Sequence, residues 1–163
     1  MRKAGWILAN WSCDGISSVL TGRMLLVPGE EKLRAFELQA DASPPKLLWE
    51  QARLNPTTAS PVVLDGKIYV LRGSILAVGE LQTGDVLSQL RLKGNFSSSL
   101  VVAGGLLFCV NEDGIVHVVR PTENDPMLVD RCPFEETILC TPAATDGALY
   151  LRSDRHFWKI GKS

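Results

Sequence analysis

The sequence predicts an all-β chain built from consecutive four-stranded antiparallel sheets, the blades of a propeller. Three observations predict it. A glycine turn recurs four times between apolar runs, at Thr21-Gly22-Arg23, Asp65-Gly66-Lys67, Gly104-Gly105-Leu106 and Asp146-Gly147-Ala148. The marker glycines Gly22, Gly66, Gly105 and Gly147 lie 44, 39 and 42 residues apart, a period near that of propeller repeats. The flanking runs are short, rich in β-branched and aromatic residues, and bounded by turn residues.

The second copy shows the unit most plainly. Ser60 to Leu64 is a short apolar strand, and Asp65-Gly66 supplies a two-residue hairpin whose central positions want positive φ. Lys67 to Leu71 returns with β-branched and aromatic side chains. Arg72-Gly73-Ser74 turns again into Ile75 to Val78. Gln82-Thr83-Gly84-Asp85 then leads to a fourth strand, Val86 to Arg91. Four short antiparallel strands with tight connections make one blade.

The third copy places strands at Ser98 to Val102, Leu106 to Val110, Ile115 to Val119 and Met127 to Arg131. The first places them at Ile16 to Leu20, Met24 to Val27, Leu33 to Leu38 and Lys46 to Glu50. The fourth offers only three, at Thr141 to Ala144, Leu149 to Arg152 and Phe157 to Ile160. The expected units are therefore 15–54, 55–94, 95–136 and an incomplete 137–163, about three and a half to four blades. Residues 1–14 are left over, with Gly5 to Trp11 reading as an orphan outer strand. That strand could close the fourth blade of its own chain or of a second chain, or end a blade of a longer protein. An open blade edge invites pairing, so a homo-oligomer joined through such edges is one expectation.

Composition excludes several classes. The 163 residues are 45% hydrophobic, which fits a packed core. Basic and acidic residues number 17 and 18, well interspersed, and no basic stripe argues for nucleic acid. The longest apolar runs are far too short for a membrane-spanning helix. The basic start Met1-Arg2-Lys3 and apolar Gly5 to Ala9 resemble a signal peptide briefly, but the apolar stretch is too short. Cys13, Cys109, Cys132 and Cys140 share no CxxC spacing, which disfavours zinc, and four unpaired thiols are the leading expectation, a disulfide the next.

The repeat resembles the PQQ-like, or quinoprotein-like, propeller family. Ser60 to Val70 matches that family's Ser-Pro-Val-Val-x-Asp-Gly-x-Ile-Tyr-Val hairpin. Gln82-Thr83-Gly84-Asp85-Val86-Leu87 matches the middle of its closing segment, and Leu48-Trp49-Glu50 matches the end. The resemblance implies structural roles for Trp49, Thr83 and Gly84, with the tryptophan docking on the neighbouring blade. The chain departs from the pattern in two places. Ser88 stands where the second copy's tryptophan would fall, and the third copy lacks both Thr-Gly and tryptophan.

The family has two unlike branches. One binds the quinone and oxidises alcohols or sugars; the other is a scaffold, as in the outer-membrane assembly lipoprotein BamB. The enzymes' vicinal cysteine pair has no counterpart here. The resemblance therefore implies a non-catalytic protein-interaction scaffold, with no cofactor, metal or catalytic residues and with an unidentified protein partner. A fragment of a PQQ-dependent dehydrogenase, or a propeller that binds a small molecule or sugar, are the alternatives. The analogy points to a periplasmic or other extracytoplasmic location, without a signal peptide to support it.

Other reactive residues have plainer readings. Asn111, Glu112 and Asp113 could offer oxygens to a hard cation, but they lie on a turn, where such residues are common. Glu135 and Glu136 read as a solvated loop between blades. His117 alternates with apolar neighbours and reads as a surface or inter-blade histidine, and His156 as a turn residue. Ser97-Ser98-Ser99 lacks a nucleophile elbow and suits a channel-lining strand. Gly161-Lys162-Ser163 fails as a phosphate loop, because His156 stands where the upstream glycine belongs.

Overall fold

A computed structural model describes residues 16–41, 43–123, 125–145 and 147–161. The expected orphan strand at Gly5 to Trp11, the hairpin residue Asp146, Cys13, Lys162 and Ser163 lie outside the described residues. Among the described residues, fifteen strands form four separate antiparallel sheets. The first holds β1 (Val19–Thr21), β2 (Met24–Pro28), β3 (Leu33–Glu37) and β4 (Lys46–Gln51). The second holds β5 (Val62–Leu64), β6 (Lys67–Arg72), β7 (Ile75–Glu80) and β8 (Val86–Arg91). The third holds β9 (Val101–Ala103), β10 (Leu106–Val110), β11 (Ile115–Arg120) and β12 (Met127–Pro133). The fourth has three strands, β13 (Ala143–Thr145), β14 (Ala148–Arg152) and β15 (Phe157–Gly161). One 3₁₀ turn, Ala52–Leu54, follows the first sheet. Among the described residues no helix is long and apolar enough to cross a membrane.

Each sheet is an up-and-down meander, with strands paired in chain order. At the second hairpin, Asp65 (φ 49°) and Gly66 (φ 74°) both take positive φ, the geometry that a two-residue turn between twisted strands requires. In the three complete sheets the register shifts by one residue between strands three and four, at Ala35/Phe36, Val78/Gly79 and Val118/Val119. The repeat thus extends to its bulges.

The core lies between sheets, because strand alternation gives every sheet two apolar faces. Leu26, Leu33, Ala35 and Trp49 of the first sheet pack on Ile68, Val70 and Ala77 of the second. The other face of the second, Tyr69, Leu71, Leu76 and Val78, packs on Leu107, Cys109 and Val119 of the third. Val110 and Val116 of the third then meet Leu149 and Leu151 of the fourth. The sheets therefore stand side by side as the blades of a β-propeller.

His117 lies between the second and third sheets, fully buried, with its ring 5.5 Å from that of Phe96. It sits opposite Cys109 on the face turned to the second sheet, so the surface alternative is excluded.

The connectors bond the middle turns of the sheets they join. Between the first two sheets, Asn55 donates to Gly29 O at 2.8 Å, and Gly73 N–H donates to Thr57 Oγ1 at 3.1 Å. Between the next two, Leu92 N–H donates to Ser74 O and Glu112 N–H to Asn95 O. Between the last two, Phe134 N–H donates to Gly114 O and Asp154 N–H to Thr137 O.

Candidate functional site

The joint between the first two sheets is made by Trp49 and the turn after β7. Trp49 is buried, and its Nε1–H donates to Leu81 O at 3.0 Å. Its ring lies over Gly84, where an added Cβ would fall 2.6 Å from the indole. Gly84 holds φ at 74°, and its N–H donates to Glu80 O at 2.9 Å. Thr83 shapes the turn: its hydroxyl donates to Asp85 Oδ2 at 2.7 Å and accepts from Asp85 N–H at 3.2 Å. Trp49, Thr83 and Gly84 are thus brought together. Gly22, Gly66, Gly105 and Gly147 stay apart, each at a separate hairpin tip with open space where a Cβ would project.

A second repeated feature runs along the inner ends of the sheets. Ser17 N–H donates to Ser60 Oγ at 3.0 Å, Ser60 N–H to Ser99 Oγ at 2.8 Å, and Ser99 N–H to Thr141 Oγ1 at 3.0 Å. Each residue lies two positions before the inner strand of its sheet. In the first three sheets this accounts for inner strands of three residues that start later than the apolar runs predict. The N–H groups ahead of them turn to the next sheet's hydroxyl rather than to their own sheet. Sequence reading missed this ladder, although a hydroxyl residue five or six positions before every marker glycine was a signal for it.

The register shows where the tryptophan position falls in the other sheets. Ala35 pairs with Trp49, Val78 with Ser88 and Val118 with Asp130, so these three occupy equivalent places on their outer strands. The indole that seals the first joint has no counterpart at the second or third. A cleft of about 580 Å³ lies between the third and fourth sheets, lined by Phe108, Val118, Phe134, Leu149, Ile160 and other small or apolar residues. Its polar contribution is slight, with Thr145 and Cys132 among the lining side chains.

A polar cluster stands beside the same joint. The Glu136 side chain is only 7% exposed. It accepts from the Ser153 hydroxyl, lies 2.6 Å from His156 Nδ1, and accepts from Trp158 Nε1 at 3.4 Å. The Ser153 hydrogen bond, then those of His156 and Trp158, hold the carboxyl below the usual range, while burial pushes the other way. The expectation of a solvated Glu136 is therefore corrected. The loop carries it into the turn before β15, where it joins the connector to the last sheet. Ser153 does not approach the imidazole as a nucleophile; its hydroxyl is bonded to Glu136 and accepts from the Arg155 and His156 N–H groups.

The remaining candidates also have structural roles. Ser97 donates to Glu112 Oε1 at 2.5 Å, Ser98 to Val110 O at 2.8 Å, and Ser99 is a rung of the ladder. Asn111 accepts from Ile115 N–H and donates to Lys93 O. Cys109, Cys132 and Cys140 are free, and no group of three or more potential metal ligands occurs among the described residues.

The blade sheets and their side-by-side packing define the chain as a β-propeller protein. Among solved structures it is similar to BamB from Moraxella catarrhalis, with TM-score 0.70 and 14% identity over 89% of this chain. It is similar to the computationally designed Ika4 protein, with TM-score 0.69 and 11% identity over 96% of this chain and 99% of that one. A europium-containing methanol dehydrogenase matches 70% of this chain and 24% of its own, with TM-score 0.55 and 11% identity. The chain spans 42% of the BamB chain. At these identities the likeness is one of fold, and at that level it fits a PQQ-like propeller. No family model matches the sequence, and no curated protein matches it.

Proposed function

We propose that this chain is a non-catalytic interaction scaffold of the PQQ-like propeller class, belonging with the BamB-like branch. The observation that carries the reading is a repeated apolar position on the outer strands. Leu48, Leu87 and Val129 occupy equivalent register positions, and they are 38%, 45% and 37% exposed. Each lies on a strand that, among the described residues, pairs on one side only. An edge strand with exposed apolar side chains is the surface to which a partner adds a strand or an apolar ridge. Neighbouring Leu47 and Met127 extend it.

The polar groups that might do chemistry support the same reading, because Ser97, Glu112, Glu136 and Ser153 are engaged in connector and turn bonds. Among the described residues the cleft's lining is mostly apolar, which does not favour a sugar.

Affinity capture with the full chain, alongside the triple variant Leu48→Asp, Leu87→Asp, Val129→Asp, tests the proposal. Defined proteins should be retained by the wild type and lost with the variant, whose circular dichroism should be unchanged. Titration with PQQ and calcium, read by quinone fluorescence and by dye reduction with alcohols, is the opposing arm. Saturable PQQ binding with turnover would overturn the scaffold reading.

A further inference from the structure

The third joint is packed differently from the second. Tyr69 and Phe108 each lie three residues after their marker glycine, and each pairs with a valine of the following strand, Val78 and Val118. Tyr69 and Val78 are buried because the third sheet covers them. Phe108 and Val118 hold the same positions and are turned to the fourth sheet, yet they stay partly exposed. The opposite wall agrees. Ile160 pairs with Leu149 as Val119 pairs with Leu107, but Val119 is fully buried and Ile160 is 39% exposed. The cleft of about 580 Å³ lies between these walls, where the same positions are closed over at the second joint.

Its chemistry selects the occupant. Among the described residues no charged side chain lines it, so a charged ligand would lose hydration without gaining a partner. Its walls are mainly the faces of two sheets rather than strand edges, so a peptide there would leave N–H and C=O groups unpaired. Phe108 and Phe134 offer aromatic surface, and the Phe134 ring is held edge-on by Trp158 at 5.3 Å. Thr145 adds one hydroxyl. The volume falls within the roughly 300–1,000 Å³ of small-molecule sites.

We propose that the cleft binds a small, neutral, predominantly aromatic molecule, which completes the third joint. The ligand's rings lie against Phe108 and Phe134, and a single polar atom, where it has one, meets Thr145. The inference is independent of the scaffold reading, which rests on the outer strands.

Titration of the full chain with the uncharged dye N-phenyl-1-naphthylamine, read by its fluorescence, should saturate at about one site per chain. Biphenyl should displace the dye, and benzoate should not. Val118→Phe and Ile160→Trp fill the cleft from opposite walls, and each should weaken dye binding by roughly 10-fold or more. Ile160 is exposed enough to accept the larger ring without unfolding, which circular dichroism checks. Leu48→Asp and Leu87→Asp, on the outer strands of other sheets, should bind the dye as the wild type does. Cys132 lines the cleft, so saturating biphenyl should slow its alkylation by N-ethylmaleimide, followed at that residue by mass spectrometry. Absence of saturable binding, equal displacement by benzoate, binding indifferent to both filling variants, or Cys132 labelling unchanged by biphenyl would overturn the proposal.

Discussion

The indole of Trp49 occupies the volume that a side chain at Gly84 would need, while its Nε1–H bonds Leu81 O in the same turn. The pair works as a joint: the first sheet brings a large flat ring, and the second a residue with none. Two demands meet at Gly84, positive φ and close approach, and only glycine satisfies both.

Gly84→Ala should therefore destabilise more than Gly66→Ala. Gly66 has the same φ of 74° but open space around it. Backbone strain alone costs about 1–2 kcal/mol, and overpacking adds roughly 1–3 kcal/mol. Urea unfolding of both variants measures the difference; equal midpoints would mean the indole yields freely. Trp49→Phe, which keeps a ring but loses the Leu81 bond, should cost about 1 kcal/mol from that bond alone.

His117 makes stability depend on pH. Burial holds its imidazole below the ordinary value of 6.5, with a smaller opposing pull from the Cys109 backbone. Neither ring nitrogen has a hydrogen bond of good geometry. The folded state binds its proton less readily than the unfolded chain, so this contribution is complete above pH 6.5 and is lost as pH falls below it. Unfolding midpoints between pH 7.5 and 5.5 should fall in the wild type and stay flatter in His117→Leu, about these two flanking values of the histidine range.

Glu136 acts in a lower window with the same sign. Its folded carboxyl is held below the ordinary 4.5, chiefly by Ser153, so the stability it adds is present above that value and lost on acidification through its folded pKa. Glu136→Gln should flatten the acid limb of a melting-temperature profile below 4.5 and leave the His117 region unchanged. A profile identical to wild type would show that the cluster does not couple to folding.

Cys109 should be inert to thiol reagents in the native protein. Burial pushes its thiol up to about 12, and the side chain packs within the second joint. A Cys109→Ala variant should give the same native titre with a chromogenic disulfide as the wild type, and one thiol fewer once denatured. A lower native titre would mean that the joint opens readily.

The marker glycines made the sheets legible because hairpin turns constrain residue type locally. Strands from Lys67 to Arg91 follow the apolar pattern closely. Trp49 and its turn were legible through resemblance. His117 was legible only as an alternation: one strand cannot say whether its polar face meets water or another sheet. Glu136 was hidden because its partners Ser153, His156 and Trp158 lie 17 to 22 residues away on the following sheet. The hydroxyl ladder was hidden because its rungs span 39 to 43 residues and use a residue type common in any turn.

The connectors tie down one end of every sheet through the middle turns, while the glycine hairpins at the opposite end have empty space around them. The molecule therefore has one conservative side and one permissive side. The turn at residues 81–85 on that side is the exception, because Trp49 packs on it, whereas residues 38–45 after β3 form a longer loop. Insertions at those tips leave the stitched side undisturbed, so the fold can vary one rim while the opposite rim keeps its form.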